Sequence, residues 1–309
     1  MKLAGKKVNL FVLGAAKCGT TTLHHYLNQH PSILMAHPKE PLFFEAEYEC
    51  GNDFYHEKYF ATWVGQPIQG EARHRNLYLP FVVPRIKAYA PDDAKFLVIL
   101  RNPVDRAYSH WWHNYSWGDE KKSFEEAIED NLERLEKGPL FETEQDAELY
   151  KNSLNFNTGY SPYTSYVDSG FYAEQIQRYI DTFGIDRVKI IFLDDLKADP
   201  KGEMARVFKF IGVEQHVSID YTVRNEANSV LGKKILRILK YIPGRKLVSK
   251  NLRTVVYKRI RCFFRAPNKK DSSLFPIYNK LINIYEPHIC RLEQMTGRNL
   301  SDWRHRRDF

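Results

Sequence analysis

The chain has 309 residues, of which 43% are hydrophobic and 14% aromatic, and its formal net charge is +8. This composition is typical of a globular protein with a sizeable core and excludes a chain that is disordered throughout. No apolar run in the sequence approaches the roughly 18 to 20 residues that a membrane-spanning helix needs.

The cysteines and the N-terminal segment bear on localisation. Four cysteines are spread along the chain, at Cys18, Cys50, Cys262 and Cys290. Their spacing matches neither paired metal ligands nor a dense disulfide framework, so we expect reduced thiols, a cytoplasmic protein and no bound metal. The N-terminal segment combines lysines with a short apolar run, as a secretion signal does, but the run continues directly into a loop and a helix. We interpret this run as the first strand of the fold.

Strand patterns recur along the chain with helical patterns between them. The strand candidates are residues 8–13, 32–36, 95–100 and 187–193. This alternation predicts a parallel sheet flanked by helices, as in a P-loop-like α/β fold with three layers. We expect residues 1–309 to form a single domain.

Several helix boundaries are marked by capping residues. Ser123 and Glu126 form a capping-box pattern before an amphipathic segment. Asp199 and Pro200 supply a cap and a first-turn proline for a second helix. The predicted helix stops are Gly138, Gly184 and Gly212.

The segment FVLGAAKCGTTT, residues 11–22, has the layout of a phosphate-binding loop between a strand and a helix. An ATP-binding P-loop places its lysine directly after the last glycine, with a hydroxyl beside it for magnesium. Here Lys17 comes two residues before Gly19. Backbone N–H groups at the start of the helix, Lys17 and the threonines would still face an anion. The loop is therefore predicted to bind a phosphate-like group; the alternative is a threonine-rich helix start without a ligand.

A second segment, FLVILRNPVDRAYSHWWH at residues 96–113, resembles the 3′-phosphate motif of sulfotransferases. Arg101 comes at the end of the predicted strand, and Ser109 lies about two turns into the following helix. The arginine as a bidentate fork and the serine as a hydroxyl donor could converge on one phosphate.

Together the two segments resemble the motifs of sulfotransferases that use 3′-phosphoadenosine 5′-phosphosulfate (PAPS), particularly the heparan-sulfate-type and bacterial branches. The resemblance extends to the late strand near residue 190 and to the closing segment 281–303, and so covers most of the chain. It implies a PAPS-dependent enzyme that releases 3′-phosphoadenosine 5′-phosphate (PAP). The implied donor-binding residues are Lys17, Cys18, Gly19, Thr20, Thr21, Thr22, Arg101 and Ser109.

The resemblance also implies the catalytic groups. Lys17 would stabilise the leaving phosphate, and Glu40, in the sequence KEPLFF, would be the general base. A transferring sulfuryl group carries less charge than a phosphoryl group, so no metal ion is expected. The apolar neighbours of Glu40 favour a raised pKa, whereas Lys39 and Lys17 oppose it, and the sequence leaves this balance open. His37 is the alternative base, because cytosolic small-molecule sulfotransferases use a histidine.

The acceptor cleft departs from the family pattern. Related chains have Gly-Glu-x-(Ser/Thr)-Pro-x-Tyr, whereas residues 70–80 read GEARHRNLYLP, with Arg73, His74 and Arg75 in place of the hydroxyl–proline pair. These side chains either recognise an anionic or polar acceptor or only line the loop. The candidate substrate-binding residues are His37, Lys39, Arg73 and His74. We expect a small-molecule or glycan acceptor, with a hydroxyl or amine as the accepting group.

The positive charge is concentrated near the C-terminus. Residues 233–270 hold fourteen Lys or Arg and no Asp or Glu, which leaves 32 basic against 38 acidic residues elsewhere. This accessory stretch suits contact with a membrane surface or another anionic partner, or it is a solvated helical face. No nucleic-acid partner is expected. Arg224, Lys233 and Lys234 are candidates to complete the 3′-phosphate site, without a spacing to choose among them.

Two other kinds of protein compete with the sulfotransferase hypothesis. A P-loop kinase would use ATP and magnesium, with Asp194 or Asp195 as a metal ligand, but the position of Lys17 argues against it. A non-catalytic anion-binding or membrane-binding protein would use residues 233–270 as its main functional surface.

Overall fold

The described strands form one five-stranded parallel sheet in the order β2-β3-β1-β4-β5. The computed structural model describes residues 7–138, 141–154, 156, 163–222 and 274–305. Helices flank the sheet, so the predicted α/β, P-loop-like fold class is confirmed. The strands are β1 (Leu10–Gly14), β2 (Ile33–Met35), β3 (Ile68–Ala72), β4 (Lys95–Leu100) and β5 (Val188–Phe192).

The α-helices connect these strands and also pack on one another. A short π-helix, Phe43–Glu47, follows β2, and its side chains are buried. The α-helices are α1 (Thr20–Leu27), α2 (Gly51–Tyr59), α3 (Arg75–Tyr78), α4 (Val82–Tyr89), α5 (Pro103–Trp117), α6 (Phe124–Glu136), α7 (Glu144–Ser153), α8 (Tyr172–Phe183), α9 (Leu193–Ala198), α10 (Pro200–Ile211) and α11 (Phe275–Thr296).

The sheet contains one strand that the sequence patterns missed. The four predicted strands match β1, β2, β4 and β5 to within two residues at each end. The missed strand, β3, reads IQGEA, which lacks the apolar run of a buried strand. Its glycine, Gly70, is required by packing, because a Cβ atom there would lie 2.6 Å from Sδ of Met35. Its carboxylate, Glu71, is buried but accepts hydrogen bonds from Tyr55 and Asn76.

Strand register brings three loops to one edge of the sheet. Leu10 of β1 pairs with Gly70 of β3 on one side and with Lys95 of β4 on the other. Parallel strands end at the same edge, so the segments that follow β1, β3 and β4 are neighbours there. These segments carry most of the predicted site residues.

The predicted helix boundaries agree with the structure. Ser123 and Glu126 form both hydrogen bonds of the capping box at α6. Asp199 caps α10, and that helix ends at Gly212 in a left-handed conformation. Gly184 ends α8, and α6 ends just before Gly138.

The C-terminal part of the described chain is attached to the core through α5. Asn102 caps this helix: its side-chain oxygen accepts from the N–H of Val104 at 2.9 Å and of Asp105 at 3.3 Å. Its amide nitrogen donates to the carbonyl of Trp303 at 3.1 Å. No helix in the parts that the structure describes combines the length and apolar character needed to cross a bilayer.

Some predicted features lie outside the described residues. These are the basic stretch 233–270 and the candidates Arg224, Lys233 and Lys234.

Replacing Asn102 with alanine should destabilise the protein by about 2–3 kcal/mol, because it removes both a helix cap and a buried tertiary hydrogen bond. Ser123→Ala is the matched control, since it removes an exposed cap and should cost only about 1 kcal/mol. Urea unfolding of the two variants measures the difference. Equal losses of unfolding free energy would show that the bond to Trp303 contributes nothing.

Candidate active site

The loop between β1 and α1 has the geometry of an anion cradle. Lys17 has φ +65° and Gly19 has φ +99°, so the chain turns sharply before α1 begins at Thr20. Only glycine suits position 19, because a Cβ atom there would also lie 2.8 Å from Cδ1 of Leu193. No side chain caps the start of α1. The first N–H groups of this helix therefore receive no hydrogen bond from a capping side chain, and such helix starts are common anion sites.

Lys17 is the main positive charge in this loop. Burial, followed by the charges of Arg101 and Lys39, lowers the pKa of Lys17 to about 8. Within the described ranges, no hydrogen bond or ion pair engages its ammonium group. Lys17 is half-buried, and a cation that is partly removed from water carries a desolvation cost that a bound anion would offset.

The other predicted loop residues occupy two kinds of position. Thr20 is buried, whereas Thr21 and Thr22 are half-buried in the first turn of α1. The backbone N–H of Cys18 donates to the carbonyl of Ala15 at 3.2 Å, so it serves the loop itself. Burial raises the pKa of the Cys18 thiol, which is therefore a packing group at neutral pH.

The segment after β4 contacts this loop through Arg101. Arg101 donates from Nη1 to the carbonyl of Lys17 at 3.4 Å, and its Nη2 lies 3.7 Å from Oδ2 of Asp105. Its side chain is 24% exposed and so reaches solvent beside Lys17. Ser109 is half-buried on α5, one turn beyond Asp105 on the same helix face.

The predicted base, Glu40, is held by four donors. Its Oε1 accepts from Nζ of Lys39 at 2.5 Å. Its Oε2 accepts from Nη1 of Arg73 at 3.4 Å, from the backbone N–H of His74 at 3.3 Å, and lies 3.0 Å from Nδ1 of His74. Burial opposes ionisation, but His74, Lys39 and Arg73 outweigh it and hold the pKa of Glu40 well below its usual value. The sequence left open whether the pKa of Glu40 is raised or lowered. In the structure it is lowered, which favours the ionised carboxylate.

His74 is a neutral partner of this carboxylate at neutral pH. Burial lowers the pKa of His74 to about 4, against the opposing effect of Glu40. The neutral ring can donate its Nδ1 proton to Glu40, and this hydrogen bond assigns the tautomer. The side chain remains 27% exposed, so it also borders the open part of the site.

Arg73 binds a carboxylate that the sequence analysis did not identify. Its Nε donates to Oε2 of Glu45 at 3.0 Å, and its Nη2 donates to Oε1 of the same residue. Both residues are buried, with 4% of Arg73 and 1% of Glu45 exposed. The sequence signal that could have pointed to Glu45 is its position as an acidic residue directly after two phenylalanines. Arg75 does not join this group; its Nη1 donates to Ser165 at 3.2 Å.

The alternative base, His37, is outside this network. Its backbone N–H donates to the carbonyl of Tyr59 at 2.9 Å. Its side chain is exposed and makes no hydrogen bond or ion pair with the described part of the chain. Asp195, one of the proposed kinase metal ligands, accepts from Nη2 of Arg298 at 2.8 Å. In the described ranges, no group of three or more His, Cys, Asp or Glu side chains is arranged to hold a metal ion.

Comparison with known proteins identifies the family. The model of the sulfotransferase domain matches residues 7–235. A membrane-associated sulfotransferase, kil1 of Dictyostelium discoideum, is 24% identical over 274 residues, which cover 69% of this chain and 57% of kil1. The mouse bifunctional heparan sulfate N-deacetylase/N-sulfotransferase 1 is 29% identical over 224 residues, covering 69% of this chain and 22% of that protein. The chain thus spans only part of these relatives.

One solved structure is similar to this chain over nearly its whole length. The sulfotransferase from Alicyclobacillus acidocaldarius is 27% identical, covers 97% of this chain and 100% of its own, and superimposes with a TM-score of 0.65. The chain belongs to the sulfotransferase domain family. The resemblance that the sequence motifs showed is thus confirmed.

The site fits PAPS as the sulfuryl donor. Three features suit an anionic ligand with separate phosphate groups: Lys17, which has no partner among residues that the structure describes, the uncapped start of α1, and the partly exposed Arg101. These features lie at the carboxyl edge of the sheet, where ligands of open α/β folds bind.

The affinity for PAP should fall as the pH rises above about 8, because free Lys17 then loses the proton that the ligand requires. Calorimetry between pH 7.5 and 9.5 measures this, since phosphate monoesters, with a second pKa of about 6, are already ionised there. In Lys17→Arg the guanidinium stays charged, so the affinity should be nearly independent of pH. Lys122→Arg, an exposed control, should behave as wild type. If the affinity for PAP changed with pH equally in wild type and in Lys17→Arg, this role of Lys17 would be contradicted.

Proposed function

We propose that the protein transfers the sulfuryl group of PAPS to a hydroxyl or amine of a small molecule or glycan by in-line displacement. The observation that carries this proposal is that one sheet edge holds both Lys17, a cation without a partner among the described residues, and the ionised carboxylate of Glu40. Lys17 and Glu40 lie close enough for each to influence the charge of the other. One suits a leaving phosphate and the other an acceptor proton.

The donor would occupy the loop between β1 and α1. Lys17 and the first N–H groups of α1 bind the 5′-phosphosulfate, with the hydroxyls of the adjacent threonines as further donors. Arg101 and Ser109 bind the 3′-phosphate from the segment after β4. The contact of Arg101 with the carbonyl of Lys17 supports this arrangement, because it joins the two phosphate sites.

Glu40 would act as the general base. The acceptor O–H or N–H loses its proton to the carboxylate while its oxygen or nitrogen bonds to sulfur, and the bond from sulfur to the phosphate oxygen breaks. Lys17 then neutralises the charge that develops on that phosphate oxygen. Glu40 is ionised at neutral pH, so it can accept the proton without prior deprotonation.

The acceptor side of the site is lined by His74 and Lys39. Both touch Glu40, and both are partly exposed, at 27% and 20% of their side chains. These polar groups support an acceptor with several hydrogen-bonding groups, such as a glycan. The name of the mouse relative, a heparan sulfate N-sulfotransferase, is consistent with that class.

We also propose a cytoplasmic location, a single domain over residues 1–309, and contact with an anionic surface through residues 233–270. The location is supported by the thiols, since Cys18, Cys50 and Cys290 form no disulfide with one another in the described part of the chain. The surface contact is supported by the charge of the stretch alone.

Thermal unfolding with PAP or ATP, both in excess EDTA, tests donor binding. PAP at 100 times its dissociation constant should stabilise the protein by about 2.7 kcal/mol, while ATP should have little effect. Lys17→Ala and Arg101→Ala should each remove most of the shift, because each removes a phosphate-binding cation. Lys280→Ala, which removes a half-exposed lysine on α11, should leave the shift intact. Stabilisation by ATP only when magnesium is restored would favour a kinase.

Glu40→Gln should lower the rate of sulfuryl transfer at least about 100-fold, the usual contribution of a general base, while PAP affinity changes less than twofold. Transfer from radiolabelled PAPS to a panel of phenols, amino sugars and oligosaccharides provides the assay. The amide keeps the shape of the carboxylate but cannot accept the proton efficiently.

Glu47→Gln is the matched control for this variant. Glu47 is also a carboxylate paired with a lysine, Lys58, but its other partner is Tyr59 in α2. Its removal should leave transfer nearly unchanged in the folded protein. Wild-type transfer by Glu40→Gln would reject Glu40 as the base and return attention to His37.

A further inference from the structure

Arg73 is shared between two carboxylates in an unequal way. Two of its nitrogens, Nε and Nη2, donate to the two oxygens of Glu45, the first at 3.0 Å. The third nitrogen, Nη1, lies 3.4 Å from Oε2 of Glu40, near the limit of hydrogen-bond distance. Bidentate pairing is the stronger and more directional of the two arrangements. Glu45 therefore fixes the position of the guanidinium, and Glu40 makes only a long contact with it.

Both members of the buried pair have little freedom to move. Only 4% of Arg73 and 1% of Glu45 is exposed. Glu45 lies in the π-helix, whose side chains are buried, and Arg73 directly follows the end of β3. A buried ion pair of this kind is rigid, because separating it would leave two charges without solvent.

A closer contact between Arg73 and Glu40 would harm the proposed chemistry. Glu40 already accepts from Lys39 on one oxygen and from His74 on the other. An arginine fork that bound Glu40 through two nitrogens would occupy the remaining lone pairs and stabilise the carboxylate further, so that Glu40 would become a weaker base.

We propose that Glu45 is a positioning residue: it binds the fork of Arg73 and so prevents this guanidinium from pairing closely with Glu40. This inference rests on the proposed role of Glu40 as the base. Arg73 then has a structural role beside the base. Glu45 keeps the Glu40 carboxylate available to accept a proton.

Several elements contribute charged groups around Glu40. Of these groups, Arg73 is the one that Glu45 binds. Neutralising Glu45 releases Arg73 and leaves the other neighbours of Glu40 with their own contacts. The titratable or charged groups that face Glu40 are Lys39, Glu45, Arg73, His74, Lys17 and His24.

The test begins with Glu45→Gln. In its crystal structure Arg73 should turn toward Glu40 and make two N–O contacts of about 3 Å with it. The turnover number with PAPS should fall about tenfold at neutral pH, and the acid limb of its pH profile should move to lower pH, while KM for PAPS is unchanged. A wild-type position of Arg73, or an unchanged pH profile, would overturn the proposal.

A double variant, Glu45→Gln with Arg73→Gln, separates positioning from a merely structural role. Without the guanidinium there is nothing to pair with Glu40, so the acid limb of the pH profile should lie at or above its wild-type position. This variant buries no unpaired charge and also decides the question if Glu45→Gln fails to fold. An acid limb below the wild-type position in the folded double variant would contradict the proposal.

Glu144→Gln is the matched control. Glu144 of α7 also binds an arginine fork, that of Arg85, with Nε at 3.1 Å, but it contacts none of the site residues. Its loss should leave the pH profile unchanged. The crystal structure of Glu45→Gln needs no acceptor, so the position of Arg73 is tested even if Glu40 proves not to be the base.

Discussion

The parallel pairing of β1 with both β3 and β4 is the constraint on which the site depends. Leu10 lies opposite Gly70 on one side and Lys95 on the other, so the three strands end at one edge. The loops that leave this edge carry Lys17, then Arg73 with His74, then Arg101. Residues far apart in the sequence thus face one ligand space, and each is held by a short connection to a buried strand.

Charge distribution at this edge divides the site into two parts. On the proposed donor side, Lys17 has no partner among the described residues, and burial lowers its pKa to about 8. On the proposed acceptor side, Glu40 has several donors, which hold its pKa well below the ordinary value. The first arrangement favours an incoming anion; the second keeps the carboxylate charged and in place. In our proposal, the buried Glu45–Arg73 pair fixes the orientation of the Arg73 guanidinium and thereby maintains the basicity of Glu40.

The strand–loop–helix order around Lys17 and the helix caps could be predicted from the sequence, because these are local signals. The strand β3 could not, since its Gln, Gly and Glu are buried only through tertiary partners such as Tyr55 and Asn76. Nor could the Arg73–Glu45 pair, because these residues lie 28 positions apart and meet only once β3 is placed. The pKa of Glu40 depends on the same tertiary contacts.

A crystal structure of the protein with PAP bound tests the central claim most directly. The account predicts Nζ of Lys17 within hydrogen-bond distance of the 5′-phosphate, Arg101 and Ser109 on the 3′-phosphate, and Glu40 bordering the space where an acceptor would approach. A nucleotide bound away from the loop between β1 and α1, or one with its 3′-phosphate on Lys17, would contradict the account.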